Sequence, residues 1–196
     1  DVYKRQVWGQ LLGHGVERIP MTEDFGIDIA SMAAWEGPLV FPNPNAPTGR
    51  ALSRAAVKDL LESNVERLVV VDEAYFGFGA ETAVPLIKDY DNLLVTRSFS
   101  KSHALAGLRV GYGLGNASLI EGLRRVKDSF NSYPIDAHAQ AVASAAINDI
   151  AWFTQASSTI KTNREALTNG LQSLGFDVLP SLANFVLAAH PRYSGE

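Results

Sequence analysis

Between residues 39 and 115 short apolar runs alternate with stretches in which apolar residues recur every three or four positions. Leu39-Val-Phe41 is a brief apolar run halted by Pro42-Asn-Pro-Asn-Ala-Pro-Thr-Gly49, a segment dense in turn formers, so it predicts a strand and then a loop. Ser53 stands where a helix N-cap belongs, and Val57, Leu60 and Leu61 behind it share one helical face. Leu68-Val-Val-Val71 is apolar without alternation, the pattern of a strand covered on both faces, and Leu93-Leu-Val-Thr96 repeats it. Val110-Gly-Tyr-Gly-Leu114 predicts a further strand whose glycines signal close backbone packing.

Beyond it the period changes to that of helices. Asn116 is placed to cap a helix carrying Leu119, Ile120, Leu123 and Val126, and Pro134 ends that region. An alanine-rich helix is expected over about 137–148. A longer one follows over about 151–174, with Ile160, Leu167, Leu171 and Leu174 aligned and Gly175 as its C-terminal stop. Strands alternating with helices predict an α/β layered fold with a largely parallel sheet. The long helix can carry the chain from a first domain, residues 1–150, into the start of a second, residues 151–196.

The two ends read differently. Asp1-Val-Tyr-Lys-Arg-Gln6 is charged but has no apolar core behind it, so it is not read as a signal peptide; it reads as a non-native scar or a chain opened within a domain. Near the other end the strand-like run Phe185-Val-Leu-Ala188 has no later segment to pair with before Pro191-Arg-Tyr-Ser-Gly-Glu196. No internal repeat or low-complexity segment is visible.

Composition narrows the class. The 196 residues are 46% apolar and 19% charged, which is ordinary for a globular protein with one good core. A net charge of −4 without basic runs argues against a nucleic-acid or anionic-membrane partner. Cysteine is absent, which removes disulfides and thiolate metal sites and fits a cytoplasmic protein. No metal centre is expected. No apolar stretch approaches the ~20 residues needed to span a bilayer.

Chemistry concentrates at strand ends. In sheets of this kind ligands lie off the carboxyl ends of strands. The proline loop follows one strand, Asp72 the next, and Ser98, Ser100 and Lys101 a third, so three separate loops are expected at one edge. A lysine buried there loses its hydration, its pKa falls, and it becomes a nucleophile and base. Asp72 can pair with a protonated ring nitrogen and keep the ring cationic. Tyr75 can donate to a ring oxygen. Arg109 offers a planar fork for phosphate, with Ser98 and Ser100 as neutral donors. Read singly, each has an ordinary explanation: a solvated lysine, a turn-forming aspartate, a packed tyrosine, a surface ion-pair arginine. Together they match the parts of one molecule, pyridoxal 5′-phosphate.

These residues also carry a resemblance. Asn43-Pro-Asn-Ala-Pro-Thr-Gly49, Val71-Asp-Glu-Ala-Tyr75, Ser98-Phe-Ser-Lys101 and Leu105-Ala-Gly-Leu-Arg109-Val-Gly resemble the class I/II aminotransferases of the fold-type-I pyridoxal-phosphate enzymes. Within them the histidinol-phosphate aminotransferases are most similar, and the likeness runs from about residue 7 to 185. The resemblance implies a three-layer sandwich with a mostly parallel sheet, an incomplete large domain, and the start of a smaller α+β domain. It implies that Lys101 forms the internal aldimine and shuttles the proton, that Asp72 pairs with the pyridine nitrogen, and that Tyr75 bonds the ring oxygen. Ser98, Ser100 and Arg109 would form the phosphate cup. One departure stands out: the family places Asn directly before Pro-Thr-Gly, where this chain has Ala46, so Asn45 is the candidate to serve instead. His103 and His138 receive no role, and His103 is expected to be structural.

The resemblance further implies transfer of an amino group from histidinol phosphate, or a related amino compound, to a 2-oxo acid, 2-oxoglutarate, in histidine biosynthesis, by a cytoplasmic homodimer. The alternatives are another enzyme of the same cofactor and fold, such as an aromatic aminotransferase or a phospho-amino-acid decarboxylase, and a fragment that keeps the motif without catalysis. A nucleotide-binding α/β domain is disfavoured, since no Gly-x-Gly-x-x-Gly or phosphate loop is present.

Overall fold

The computed structural model describes residues 2–193, with side chains from Gln6 onward. Most of the charged start, and Ser194 to Glu196, lie outside the described side chains. Six α-helices are described, α1 (Val2–Leu11), α2 (Ile29–Ala34), α3 (Arg54–Glu62), α4 (Ala117–Phe130), α5 (Ala137–Asn148) and α6 (Ile150–Ser173). The strands are β1 (Leu39–Pro42), β2 (Val69–Asp72), β3 (Leu93–Ser98), β4 (Gly111–Gly115), β5 (Asp177–Val178) and β6 (Ala188–Ala189).

The main sheet has the order β1-β2-β3-β4. The first three strands are parallel and β4 is antiparallel to β3. A parallel pair needs a crossover, and the crossover between β1 and β2 is α3. The helix forms where its apolar period and cap agree: the Ser53 hydroxyl accepts from the Ala56 amide at 3.2 Å, and Val57, Leu60 and Leu61 are fully buried. Burying side chains of this size contributes about 1.5–3 kcal/mol each.

Strand alternation sorts the sheet into two faces. Leu39, Phe41, Val69, Val71, Leu93 and Val95 join Met32, Val57, Leu60 and Leu61 in one core. The other face carries Val40, Val70 and Leu94 in register, and its cover is graded across the sheet. Leu94 is 7% exposed where α4 lies over β4, Val70 is half-buried, and Val40 is 51% exposed. β2 is thus fully covered on one face only, because α4 packs over β4 at the far side of the sheet. The glycines of β4 have the expected cause: a Cβ at Gly113 would meet Leu123 and Ile120 of α4 at 3.4–3.9 Å, and one at Gly111 would sit 2.8 Å from the Arg97 carbonyl oxygen. Helix, sheet and helix form the three layers.

The helices end as their caps dictate. Asn116 accepts from the Ser118 amide at 2.8 Å, Asp136 from Ala139 at 2.8 Å and Asp149 from Trp152 at 3.0 Å. Gly175 stops α6 in the left-handed conformation (φ +86°). The apolar rows of the later helices are less buried than their period implies. Leu123, Val126, Leu167 and Leu174 are all exposed.

The strand-like run at 185–188 does find a neighbour. It contributes only its last residue to β6, which pairs antiparallel with β5, a strand that precedes it. The expectation of an unpaired strand fails because the partner comes from upstream. Among the described residues no helix is long and apolar enough to cross a membrane.

Candidate active site

The carboxyl ends of β1, β2 and β3 lie side by side, with Pro42 opposite Asp72 and Asp72 opposite Thr96. The sheet ladder runs on for one more step, with Asn43 N–H donating to the Asp72 carbonyl (2.9 Å) and Glu73 N–H to the Thr96 carbonyl (2.8 Å). Past that step each loop is held by its own side chains.

The proline loop is fastened by Asn43, which is buried and binds both the amide and the carbonyl of Leu52, at 2.7 and 3.1 Å. Asn45 faces inward to the same loop. Its amide nitrogen donates to Thr48 Oγ1 at 2.9 Å and to Met21 Sδ at 3.5 Å, so both of its N–H groups are engaged there. In this arrangement Asn45 orders the loop. Gly49 closes it with φ +74° and receives the Leu182 amide on its carbonyl at 2.9 Å.

Asp72 is half-buried, and its carboxylate accepts the Ala74 amide at 3.0 Å. That bond turns the chain so that Tyr75 follows at the same edge. The Tyr75 ring packs edge-on against Phe185 with 5.0 Å between centroids. Phe185 also walls a recess of about 250 Å³ with Ile160, Asn163, Arg164 and Asn184. Arg164 donates to the carbonyls of Phe78 (2.7 Å) and Ala183 (2.6 Å), tying α6 to both segments.

After β3 the Ser98 hydroxyl accepts the Ser100 amide at 3.1 Å. Phe99 is buried with Val110, Ala139 and Ala143 and anchors the turn from below. Lys101 Nζ lies 5.7 Å from the centroid of the Tyr75 ring. The expected burial of Lys101 does not occur: its side chain is exposed, because the turn carries it off the sheet edge instead of back into the core. Arg109 is exposed too, holds a left-handed backbone (φ 56°), and donates to the Ala106 carbonyl at 2.9 Å. Ala104 in the same loop is also left-handed (φ 55°). Two non-glycine residues in that region cost about 1–3 kcal/mol each and are held by the surrounding bonds.

His103 is buried between Phe99 and Phe153, with centroids at 4.9 and 5.2 Å, and its Nδ1 is 3.1 Å from the Ser102 hydroxyl. Burial lowers its pKa below the ordinary value, and the Arg97 charge adds to the effect. It packs as a structural histidine. His138 is exposed.

One feature was not anticipated. Glu73 and Arg97, each one residue from a candidate site residue, form a nearly dry ion pair at 2.9 Å. The signal existed: Glu73 shares strand parity with Val69 and Val71, and Arg97 with Leu93 and Val95, so opposite charges fall at core-facing positions of adjacent strands.

The edge therefore presents a carboxylate, a phenol, a primary amine, two hydroxyls and a guanidinium. That set can hold a ring with a protonated nitrogen, an oxygen substituent, an aldehyde and a phosphate.

Residues 10–194 match the family described as aminotransferase class I and II. The chain is 56% identical over 189 residues to histidinol-phosphate aminotransferase 1 of Bradyrhizobium diazoefficiens, covering 96% of this chain and 54% of that protein. It is 51% identical to histidinol-phosphate aminotransferase 2 of Thiobacillus denitrificans, covering 97% and 53%. It thus spans about half the length of these curated relatives. Among solved structures, the histidinol-phosphate aminotransferase of Clostridium acetobutylicum superposes with a TM-score of 0.86 at 25% identity, over 97% of this chain and 59% of that one. That of Sinorhizobium meliloti, in complex with pyridoxal-5′-phosphate, gives 0.78 at 26% identity over 92% and 50%. With its family match over nearly all residues and its α/β layers in the same arrangement, the chain belongs to the class I and II aminotransferases.

Proposed function

We propose that this chain is the central part of a pyridoxal-phosphate-dependent aminotransferase that moves an amino group between histidinol phosphate and 2-oxoglutarate in histidine biosynthesis. The observation that carries the reading is the meeting of Asp72, Tyr75 and the Ser98–Lys101 turn on one sheet edge, in a chain 56% identical to a histidinol-phosphate aminotransferase.

The donor set fits the cofactor part for part. The Asp72 carboxylate would hold the proton on the ring nitrogen. The Tyr75 phenol would donate to the ring oxygen. Ser98, Ser100 and Arg109 would take the phosphate, hydroxyls and fork sharing its charge. Asn45 contributes through the shape of the proline loop, since its amide is engaged at Thr48 and Met21. The bound cofactor supplies an electron sink and the carbon that carries the amino group. Lys101 would be the residue that holds the cofactor's aldehyde, and its free amine would be the base that takes the proton from the substrate α-carbon. The exposed position of Lys101 leaves room for this exchange.

We assign residues 1–150 to the large domain and 151–196 to the linking helix and start of the small domain. The whole enzyme is assigned as a cytoplasmic homodimer. Trp8, Leu11, Leu12, Phe130 and Tyr133 are large apolar or aromatic side chains left exposed, and such exposure supports association with a partner.

The test begins with pyridoxal phosphate added to the chain. A visible absorbance band, and borohydride-fixed label on Lys101 alone, are expected; label spread over Lys58, Lys88, Lys127 and Lys161 would sink the assignment. Glutamate formation from histidinol phosphate and 2-oxoglutarate then tests the substrate. A second reading has its own support: L-threonine-O-3-phosphate decarboxylase of Porphyromonas gingivalis superposes with a TM-score of 0.74 at 26% identity. Release of carbon dioxide from a phosphorylated amino acid, without amino transfer, would decide for it.

A further inference from the structure

The turns after β2 and β3 carry the candidate site, yet the sheet ladder that aligns the two strands ends at Glu73 N–H and the Thr96 carbonyl. Beyond that bond the turns are shaped locally, by the Ala74 amide on Asp72 and the Ser100 amide on Ser98. Neither bond crosses from one turn to the other. A separate link does so directly beneath them.

Glu73 is 2% exposed. Its carboxylate accepts the Ala83 amide at 2.6 Å, lies 2.8 and 2.9 Å from the Thr82 hydroxyl, and accepts Arg97 Nε at 2.9 Å. Arg97 Nη2 donates to Thr82 Oγ1 at 2.7 Å, and the guanidinium carbon stands 3.5 Å from the centre of the Phe76 ring. One planar group thus touches a neighbour of each part of the site. Glu73 is bonded to Asp72, Phe76 to Tyr75, and Arg97 itself to Ser98.

We propose that Arg97 and Glu73 are positioning residues, whose bridge sets the spacing between the Asp72–Tyr75 turn and the Ser98–Lys101 turn. The proposal rests on the reading of this edge as the cofactor site. Two arguments favour it over a purely stabilising role. A buried ion pair gains little over apolar side chains of the same volume, because desolvation offsets the attraction. Its value lies in direction, and the arginine fork accepts few geometries when it pairs and stacks at once. It also sits where direction matters and the pairing between β2 and β3 has run out, at the carboxyl ends of these strands.

The test uses Arg97→Met, Arg97→Lys and Glu73→Gln in the full chain, with amide hydrogen exchange and pyridoxal phosphate titration. In Arg97→Met, exchange at Ala74, Phe76 and Ser100 should accelerate by about tenfold or more beyond any change at Val71 and Val95, since one hydrogen bond to a charged group is worth at least that factor. The dissociation constant for pyridoxal phosphate, read from the visible band, should rise by a similar factor, with the borohydride label still on Lys101. Arg97→Lys keeps the charge without fork or stack and should fall between; it carries the test if Arg97→Met does not fold. Equal acceleration across the chain, or unchanged cofactor affinity in variants whose bridge is broken, would overturn the proposal. If the unsubstituted chain puts no label on Lys101, the proposed function fails, and the exchange pattern still decides whether the bridge aligns the two turns.

Discussion

Gly49→Ala offers a sharp test of how the proline loop is held. Gly49 has φ +74°, and a Cβ there would lie 2.6 Å from Ser181 Cβ and 2.9 Å from Ser181 Cα. Ser181 is not free to retreat: its hydroxyl donates to the Phe185 carbonyl at 2.6 Å and accepts the Ala183 amide at 3.1 Å. The left-handed backbone costs alanine about 1–2 kcal/mol. The forced contact adds about 1–3 kcal/mol. The stiffer unfolded chain returns about 0.4–1 kcal/mol. A net loss of about 1–4.6 kcal/mol follows, and at roughly 2–4 °C per kcal/mol the melting temperature should drop by about 2–18 °C. Circular dichroism melts measure it. Gly122→Ala and Gly170→Ala are the controls, because both lie in helices with nothing within 4 Å of the new Cβ. They should raise stability by about 0.5–1 kcal/mol. Ser181→Gly combined with Gly49→Ala should recover part of the contact share but none of the backbone share. A Gly49→Ala chain that melts like Gly170→Ala would refute the reasoning outright, and strict additivity of the pair would refute its steric half.

Lys101→Ala should abolish the borohydride-fixed label, and in the whole enzyme the proposed amino transfer, while lowering stability by no more than about 1 kcal/mol, since an exposed cation–π contact is all it removes; a melt shifted by more than about 10 °C, or label retained at the same peptide, would contradict this. His103 gives a pH dependence. Its folded pKa lies below the 6.5 of a free imidazole, so the unfolded chain binds the proton first; its contribution is full above pH 6.5 and declines as pH falls below it. Urea unfolding between pH 8 and 5 should show that decline, and His103→Phe should flatten it. Tyr90, whose hydroxyl donates to Glu62 at 2.5 Å, should ionise at about 12 in an ultraviolet titration, and Glu62→Gln should bring it back toward 10. A Tyr90 titration unmoved by that substitution would exclude the hydrogen bond as the cause.

Much of the fold could be read before any coordinate. The strands at 39, 69, 93 and 111 and the caps at Ser53, Asn116 and Gly175 lie within a residue or two of where pattern and cap chemistry put them. These are local signals: a cap needs an amide three residues on, and a period needs one face. The helices Val2–Leu11 and Ile29–Ala34 are not marked by the sequence pattern: the first lacks a strong apolar stripe, and the second, at six residues, is too short to show a helical period. Arg67 is not marked either, although its guanidinium gathers the carbonyls of Met32, Ala33, Trp35 and Leu60 and closes the ends of both α2 and α3. Its partners lie up to 35 residues away in the chain, beyond any local pattern.

The candidate site divides along the same line. The identities of Asp72, Tyr75, Ser98, Ser100, Lys101 and Arg109, and their places at or close to strand ends, follow from residue type and spacing. Adjacency follows from nothing local. That β1, β2 and β3 lie in sequence order, that Phe185 packs on Tyr75, and that Ser181 meets Gly49 are outcomes of pairing across the fold. Burial is the clearest case. The run at 68–71 resembles a strand covered twice, and Lys101 resembles a buried amine, yet Val70 is half-buried and Lys101 is exposed. A side chain's chemistry belongs to its residue, whereas its solvation depends on how much other chain lies over it, and only tertiary packing decides that.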